Sequence, residues 1–166
     1  MPKLSKCLIG AMLAFAATAA PAAAQTANGA IYGTQLENGW QDWSWAKVER
    51  GLEIEGSARK PIRVEAAAYQ ALFLHHDPMP LTGFSKLRFL LQGSQPDGKV
   101  KVTLLSGGKP ISEGALLTLK NNGWTDVQLP LSGLGATDKP IDGIWISNPG
   151  GEPLPPFYVT EIKFIP

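Results

Sequence analysis

Lys99-Val-Lys-Val-Thr-Leu-Leu105, "KVKVTLL", alternates polar with apolar side chains, a period of two that gathers one face of a strand and scatters around a helix. Read as a strand, it buries one row and turns the other outward. The spacing returns in "WTDVQLPL" from Trp124, with Trp124, Val127 and Leu129 slightly out of phase. Working outward, strands are expected over residues 30–33, 46–55, 62–67, 71–75, 86–92, 99–105, 114–119, 124–129, 143–147 and 157–164. Between them lie "HHDPMPLTG", "GSQPDG", "SGGKP", "KNNG", "LSGLGATDKP" and "NPGGEPLPP", compositions rich in the residues that turns require. Many short strands with regular turn signals indicate an all-β fold, a two-sheet antiparallel β-sandwich of the jelly-roll kind. The one competing stretch is "VEAAAYQALFL", where Ala and Leu favour helix. A strand interrupted near Ala68 fits its surroundings better.

The first 24 residues read as an export signal: Lys3 and Lys6, then the apolar run from Cys7 to Ala20, then "PAAA" with a cut after Ala24. Fourteen apolar residues stopped by Pro21 fall short of the roughly 20 that span a bilayer, which argues against a retained anchor. Cys7 stands at the front of the run, out of place for lipid attachment, and cleavage leaves no cysteine. Residues 25–166 then form one domain, expected in the periplasm or outside the cell. Its 142 residues suffice to bury roughly two-thirds of the unfolded surface without a disulfide. Loss of Lys3 and Lys6 leaves 13 basic residues against 14 acidic ones, dispersed singly, so neither nucleic acid nor an anionic membrane is an expected partner.

"NGWQDWSW" at 38–45 places three of the five tryptophans within six positions. Asn38-Gly39 can supply the positive φ angles of a tight turn, and Asn122-Gly123 before Trp124 echoes it. If the segment is extended, Trp43 and Trp45 share a face while Trp40 points the other way; in a helical turn Trp40 and Trp43 pair instead. Three exposed indoles would show about 450–750 Å² of apolar surface, against about 300–600 Å² for the largest patch of a typical monomer. At least one is therefore expected in the core. The others are candidates for a platform on which a sugar ring stacks, with Gln41, Asp42 and Ser44 at hand for its hydroxyls. Trp124 is expected in the core. Trp145 in "GIWISN" looks away from the core if Ile144 and Ile146 are the buried pair, and Tyr69 is a similar case with its own hydroxyl.

His75, His76 and Asp77 invite a metal reading, but adjacent strand residues point to opposite faces and no second histidine cluster exists. A hydrogen-bonding role at the rim, assigned to His76, is the expectation. No G-x-S-x-G, no phosphate-cradling glycine loop and no distinctive pair of carboxylates occurs, so an enzyme is not expected.

The stretches "IYGTQLENGWQDWSW", "AYQALFLHH", "FSKLRFLLQG", "NGWTDVQLPLSGLG", "IDGIWISN" and "FYVTEIKFI", in this order, resemble secreted carbohydrate-binding-module-like β-jelly rolls of the galactose-binding-domain type. The resemblance implies two antiparallel sheets, ligand on the concave face or the loop rim, and often a structural calcium ion joining the chain ends. The calcium part of the pattern is depleted. Where relatives place aspartates, this chain has Gly33 and Thr34 after Tyr32, and Thr160 and Glu161 after Tyr158, leaving Glu161, carbonyls and Thr160 as hard oxygen donors. No cofactor is expected. The functional expectation is an exported, non-catalytic module that binds a polysaccharide or oligosaccharide through Trp40, Trp43, Trp45, Tyr69 and Trp145, oriented by Gln41, Asp42 and His76. The alternative is an envelope interaction or assembly protein that keeps the fold without sugar binding.

Overall fold

A computed structural model describes residues 28–166; the expected export signal, with Cys7 and residues 25–27, lies outside that range. The described residues contain no helix and twelve strands. These are β1 (Ala30–Tyr32), β2 (Gln41–Asp42), β3 (Lys47–Glu49), β4 (Ile62–Glu65), β5 (Ala71–Met79), β6 (Lys86–Gly93), β7 (Lys99–Ser106), β8 (Lys109–Pro110), β9 (Ala115–Thr118), β10 (Thr125–Pro130), β11 (Ile141–Ser147) and β12 (Phe157–Ile165). Every expected strand has a counterpart, but the one expected over 46–55 is confined to Lys47–Glu49, and β5 runs on to Met79 through residues expected in a turn. "VEAAAYQALFL" breaks into β4 and β5 at a turn over Ala68 and Tyr69, so tertiary pairing overrides the helical propensity of its alanines. The two-residue strands β2 and β8 are too short to leave a periodic signal.

The strands form two antiparallel sheets. The first runs β10-β6-β12-β4-β3, and β1 lies beside β4 on the same edge of β12. The second runs β2-β5-β11-β7, and β8 and β9 share the far edge of β7. Alternation fixes which face is inside. In β7, Val100, Val102 and Leu104 are buried between the sheets, with Leu72 and Leu74 of β5 and Ile144 and Ile146 of β11. Leu87, Phe89 and Leu91 of β6, Ile62 and Val64 of β4, and Phe157 and Val159 of β12 meet them from the other sheet. A one-residue slip of β11 would exchange Ile144 and Ile146 for Trp145, so the core specifies the register and thereby which way Trp145 points.

Asn38 and Gly39 both take positive φ, 52° and 84°, as the turn reading requires. At the second Asn-Gly only Gly123 does, so the echo is one of composition rather than of turn type. Trp124 is partly exposed beside β10 and is not among the core residues, which corrects its assignment to the interior.

Candidate functional site

Residues 41–46 run along β5 as an irregular edge. The Trp43 amide donates to the Phe73 carbonyl at 2.8 Å, the Ser44 hydroxyl accepts from the Phe73 amide at 2.9 Å, and the Ala46 amide donates to the Ala71 carbonyl at 3.1 Å. This extended course puts Trp43 and Trp45 on the outer face of the second sheet, 53% and 44% exposed. Trp40 goes the other way. It is 5% exposed and packs on Phe164, which removes it from the set of candidate platform residues. Burial of one indole in three is the outcome that the area argument demands.

Register across the sheet assembles the rest of the face. Phe73 pairs with Trp145, and Trp145 with Thr103; His75 pairs with Gln41 and Gly143, and Ser147 with Lys101. Trp43 stacks on His75 with ring centroids 3.6 Å apart, and Trp45 stands edge-on to Trp145 at 5.3 Å. Phe73 lies between them, edge-on to Trp43, Trp45 and Trp145 at 5.9–6.2 Å. These edge-to-face contacts hold the indoles in fixed orientations. Hydrogen bonds add to this. The Trp43 Nε1–H donates to Gln41 Oε1 at 3.0 Å, and the Trp45 Nε1–H donates to the Tyr69 carbonyl at 3.2 Å.

Tyr69 rims this face at 67% exposure with φ at 60°, a left-handed conformation that a bulky side chain rarely adopts. Its amide donates to the Gly150 carbonyl at 3.2 Å, and buried Asn148 organises both flanking loops. The Asn148 Nδ2 donates to the carbonyls of Ala66, Ala67 and Glu152, while Oδ1 accepts from the Gly150 amide. A strained backbone that presents an exposed aromatic ring persists only where its surroundings over-determine it, here through the Gly150 carbonyl and the Asn148 network. Tyr69, Trp45 and Trp145 border a cleft of about 490 Å³ whose remaining wall includes Lys101, Thr103, Ser112, Glu113 and Ser147. That volume lies in the range of small-molecule sites, about 300–1,000 Å³.

Two further residues expected in the site are elsewhere. His76 lies on the opposite side of β5 from His75; its ring packs on Trp40 at 5.1 Å, and Nε2 is 2.9 Å from the Asn38 carbonyl. It supports the Asn38-Gly39 turn. Asp42 pairs with Leu74, an inward position, and its carboxylate accepts from the Ser44 amide at 3.0 Å and meets Arg50 at 3.2 Å. It shapes the edge rather than the face. Phe73, His75, Lys101 and Glu113 were not foreseen. The first two follow from the logic that placed Trp145: with Leu72 and Leu74 buried, their neighbours point outward.

The implied calcium corner also assembles. Gly33, Thr34, Thr160 and Glu161 come together beside Arg59. The Thr160 hydroxyl donates to the Gly33 carbonyl at 3.1 Å, and the Arg59 Nε–H donates to Glu161 Oε1 at 2.9 Å. With its carboxylate paired to a guanidinium and its hydroxyl bonded to a carbonyl, this donor set does not fit calcium, which takes six to eight oxygen ligands. Among the described residues no group of three or more His, Cys, Asp and Glu is placed to hold a metal.

No family model matches the sequence. Of solved structures, a family 11 carbohydrate-binding module of a cellulosomal cellulase from Clostridium thermocellum superposes with a TM-score of 0.60 at 14% identity, covering 83% of this chain and 94% of that one. A family 29 carbohydrate-binding module complexed with mannohexaose gives 0.58 at 16% identity, covering 82% and 89%. The fold is that of carbohydrate-binding modules. The expected two-sheet sandwich and the resemblance read from the sequence both hold at this level. An endoglucanase of Dictyostelium discoideum is 22% identical over 142 residues, which is 80% of this chain and 20% of the relative. The chain thus spans about a fifth of the length of the curated relative it matches.

Proposed function

We propose that this protein is an exported, non-catalytic glycan-binding module whose site is the outer face of the second sheet, from Trp43 past Trp45 and Trp145 to Tyr69. The observation that carries this reading is the exposure of Trp43, Trp45 and Tyr69, the two indoles held by hydrogen bonds and ring contacts and Tyr69 by its bonded backbone. Apolar rings left in water at that density are a standing cost unless a ligand covers them, and flat indole faces suit the C–H faces of pyranose rings. The module with mannohexaose and the endoglucanase relative support a polysaccharide or oligosaccharide as the ligand. The cleft's lining supports a binding rather than a hydrolytic role. Its one carboxylate is Glu113, and glycoside hydrolysis ordinarily needs two carboxylates flanking the scissile bond. The Arg59–Glu161 pair supports a module that works without calcium. Export to the periplasm or beyond is the compartment in which such polymers are met.

The test is affinity electrophoresis through gels containing soluble β-glucans, mannans and other polysaccharides, with tryptophan fluorescence read in parallel. Retention by at least one polymer, with a shifted or quenched emission that Trp45→Ala abolishes, is the expected result. Unretarded migration through every gel would refute the proposal.

A further inference from the structure

Among the polar side chains that line the cleft, most are committed to the protein. Asn148 spends its amide on the loops; Ser147 donates to the Lys101 carbonyl at 3.2 Å; Ser112 donates to the Leu134 carbonyl at 2.9 Å and accepts from the Gly114 amide. Thr103 is buried. The ammonium of Lys101 and the carboxylate of Glu113 are the charged groups that remain, with no hydrogen bond or ion pair among the described residues, beside the unpartnered Tyr69 hydroxyl and the buried, unpartnered Trp145 Nε1–H. Lys101 sits in the centre of β7, opposite Ser147 on one side and Leu116 on the other. Glu113 is brought alongside by Gly114, whose φ of 81° folds the loop before β9 onto β7. A Cβ at Gly114 would come within 2.5 Å of the Val102 carbonyl and 3.3 Å of Lys101 Cγ, so only glycine permits this approach.

We infer that Lys101 and Glu113 are the specificity-determining pair of the cleft, reading the hydroxyls of an uncharged glycan whose rings lie against Trp45, Trp145 and Tyr69. This rests on the proposed glycan-binding reading and assigns its polar half. An ammonium offers donors only, and a carboxylate acceptors only, so together they address a diol in both senses. Bonds to charged groups are the stronger kind, and here they cost the protein no internal bond to release. One positive and one negative group leave the cleft without net charge, which selects against acidic polymers: a uronate attracted by Lys101 is opposed by Glu113.

Calorimetric titration with mannohexaose, a cello-oligosaccharide and an oligogalacturonate of similar length tests the pair, on wild type, Trp45→Ala, Lys101→Met and Glu113→Gln. Both latter variants keep side-chain bulk and are checked for an unchanged thermal midpoint. The expected result is binding of a neutral oligosaccharide by wild type and a loss of about tenfold or more in each of Lys101→Met and Glu113→Gln. If Trp45→Ala abolishes binding while both polar variants stay within about twofold of wild type, the pair is not the reader, although the glycan site stands. Preference for the uronate over both neutral ligands would likewise overturn the inference. Failure of wild type to bind any of the three removes the site itself and the pair's role with it.

Discussion

Replacing Tyr69 by glycine and by alanine separates backbone strain from ring contact. Both substitutions delete the same exposed ring, but only glycine relieves a φ of 60°. A left-handed conformation costs a non-glycine residue about 1–2 kcal/mol. Glycine carries an entropic penalty of about 0.5–1 kcal/mol from its freer unfolded chain. The difference, about 0–1.5 kcal/mol and centred near about 0.75 kcal/mol, favours the glycine variant, the reverse of the usual order of alanine over glycine. In a chain of this size that is a midpoint about 2–4 °C higher for Tyr69→Gly than for Tyr69→Ala, measured by circular dichroism, with urea unfolding as the second readout. Affinity should not follow stability. Loss of an aromatic stacking contact of about 0.5–1.5 kcal/mol weakens oligosaccharide binding about two- to tenfold in both variants alike. An alanine variant more stable than the glycine variant by about 0.5–1 kcal/mol, the ordinary order, would show that Tyr69 stores no strain. Unchanged affinity in both would show that its ring meets no ligand.

Trp40→Ala, which empties a core position beside Phe164, should cost about 3–5 kcal/mol in urea unfolding, whereas Trp43→Ala on the surface costs far less and lowers affinity instead. Gly114→Ala combines an unfavourable φ with a collision against the Val102 carbonyl; a loss of about 2 kcal/mol or more is expected, together with weakened glycan binding as Glu113 moves away. The carboxyls of Asp126 and Glu65 are held below their usual range, first by hydrogen bonds from Arg88 and Lys47 respectively, so their contribution is complete above the ordinary carboxylate pKa and fades as pH falls through the lowered values. Thermal midpoints should accordingly be flat through neutral pH and decline below about pH 4, with a shallower decline in Arg88→Met. Calcium or a chelator should leave the wild-type midpoint unmoved, while Arg59→Asp, which supplies a second carboxylate beside Glu161, should gain a calcium-dependent rise; a calcium response in wild type would contradict the reading of that corner.

The fold was legible because β5, β6, β7, β11 and β12 run for seven to nine residues each, and stretches such as Lys99–Leu105 alternate clearly enough to exclude a helix. The same alternation placed Trp145 outward through Ile144 and Ile146. It also points Phe73, between Leu72 and Leu74, and His75, next to Leu74, outward, although the rim role was expected of His76. His76 and His75 differ by one position and hence by a whole face of the sheet. Trp40 was separable from Trp43 and Trp45 only as a conditional, because the irregular edge at 41–46 follows β5 through hydrogen bonds to distant residues. Lys101 and Glu113 were beyond sequence reasoning for another reason: twelve positions separate them, and their meeting at one cleft depends on Gly114 folding a loop back onto β7.

The place of β12 has a consequence for the order of synthesis. The final strand lies inside the first sheet, bonded to β6 along one edge and to β4 and β1 along the other. Three earlier strands thus wait for a neighbour that is synthesised well after them, and β5 and β7 wait in the same way for β11. A nascent chain of this topology cannot close either layer early, and pairings so distant in sequence form slowly. Under the proposed export, such a polypeptide would meet a translocase still threadable, with its assembly deferred to the far side.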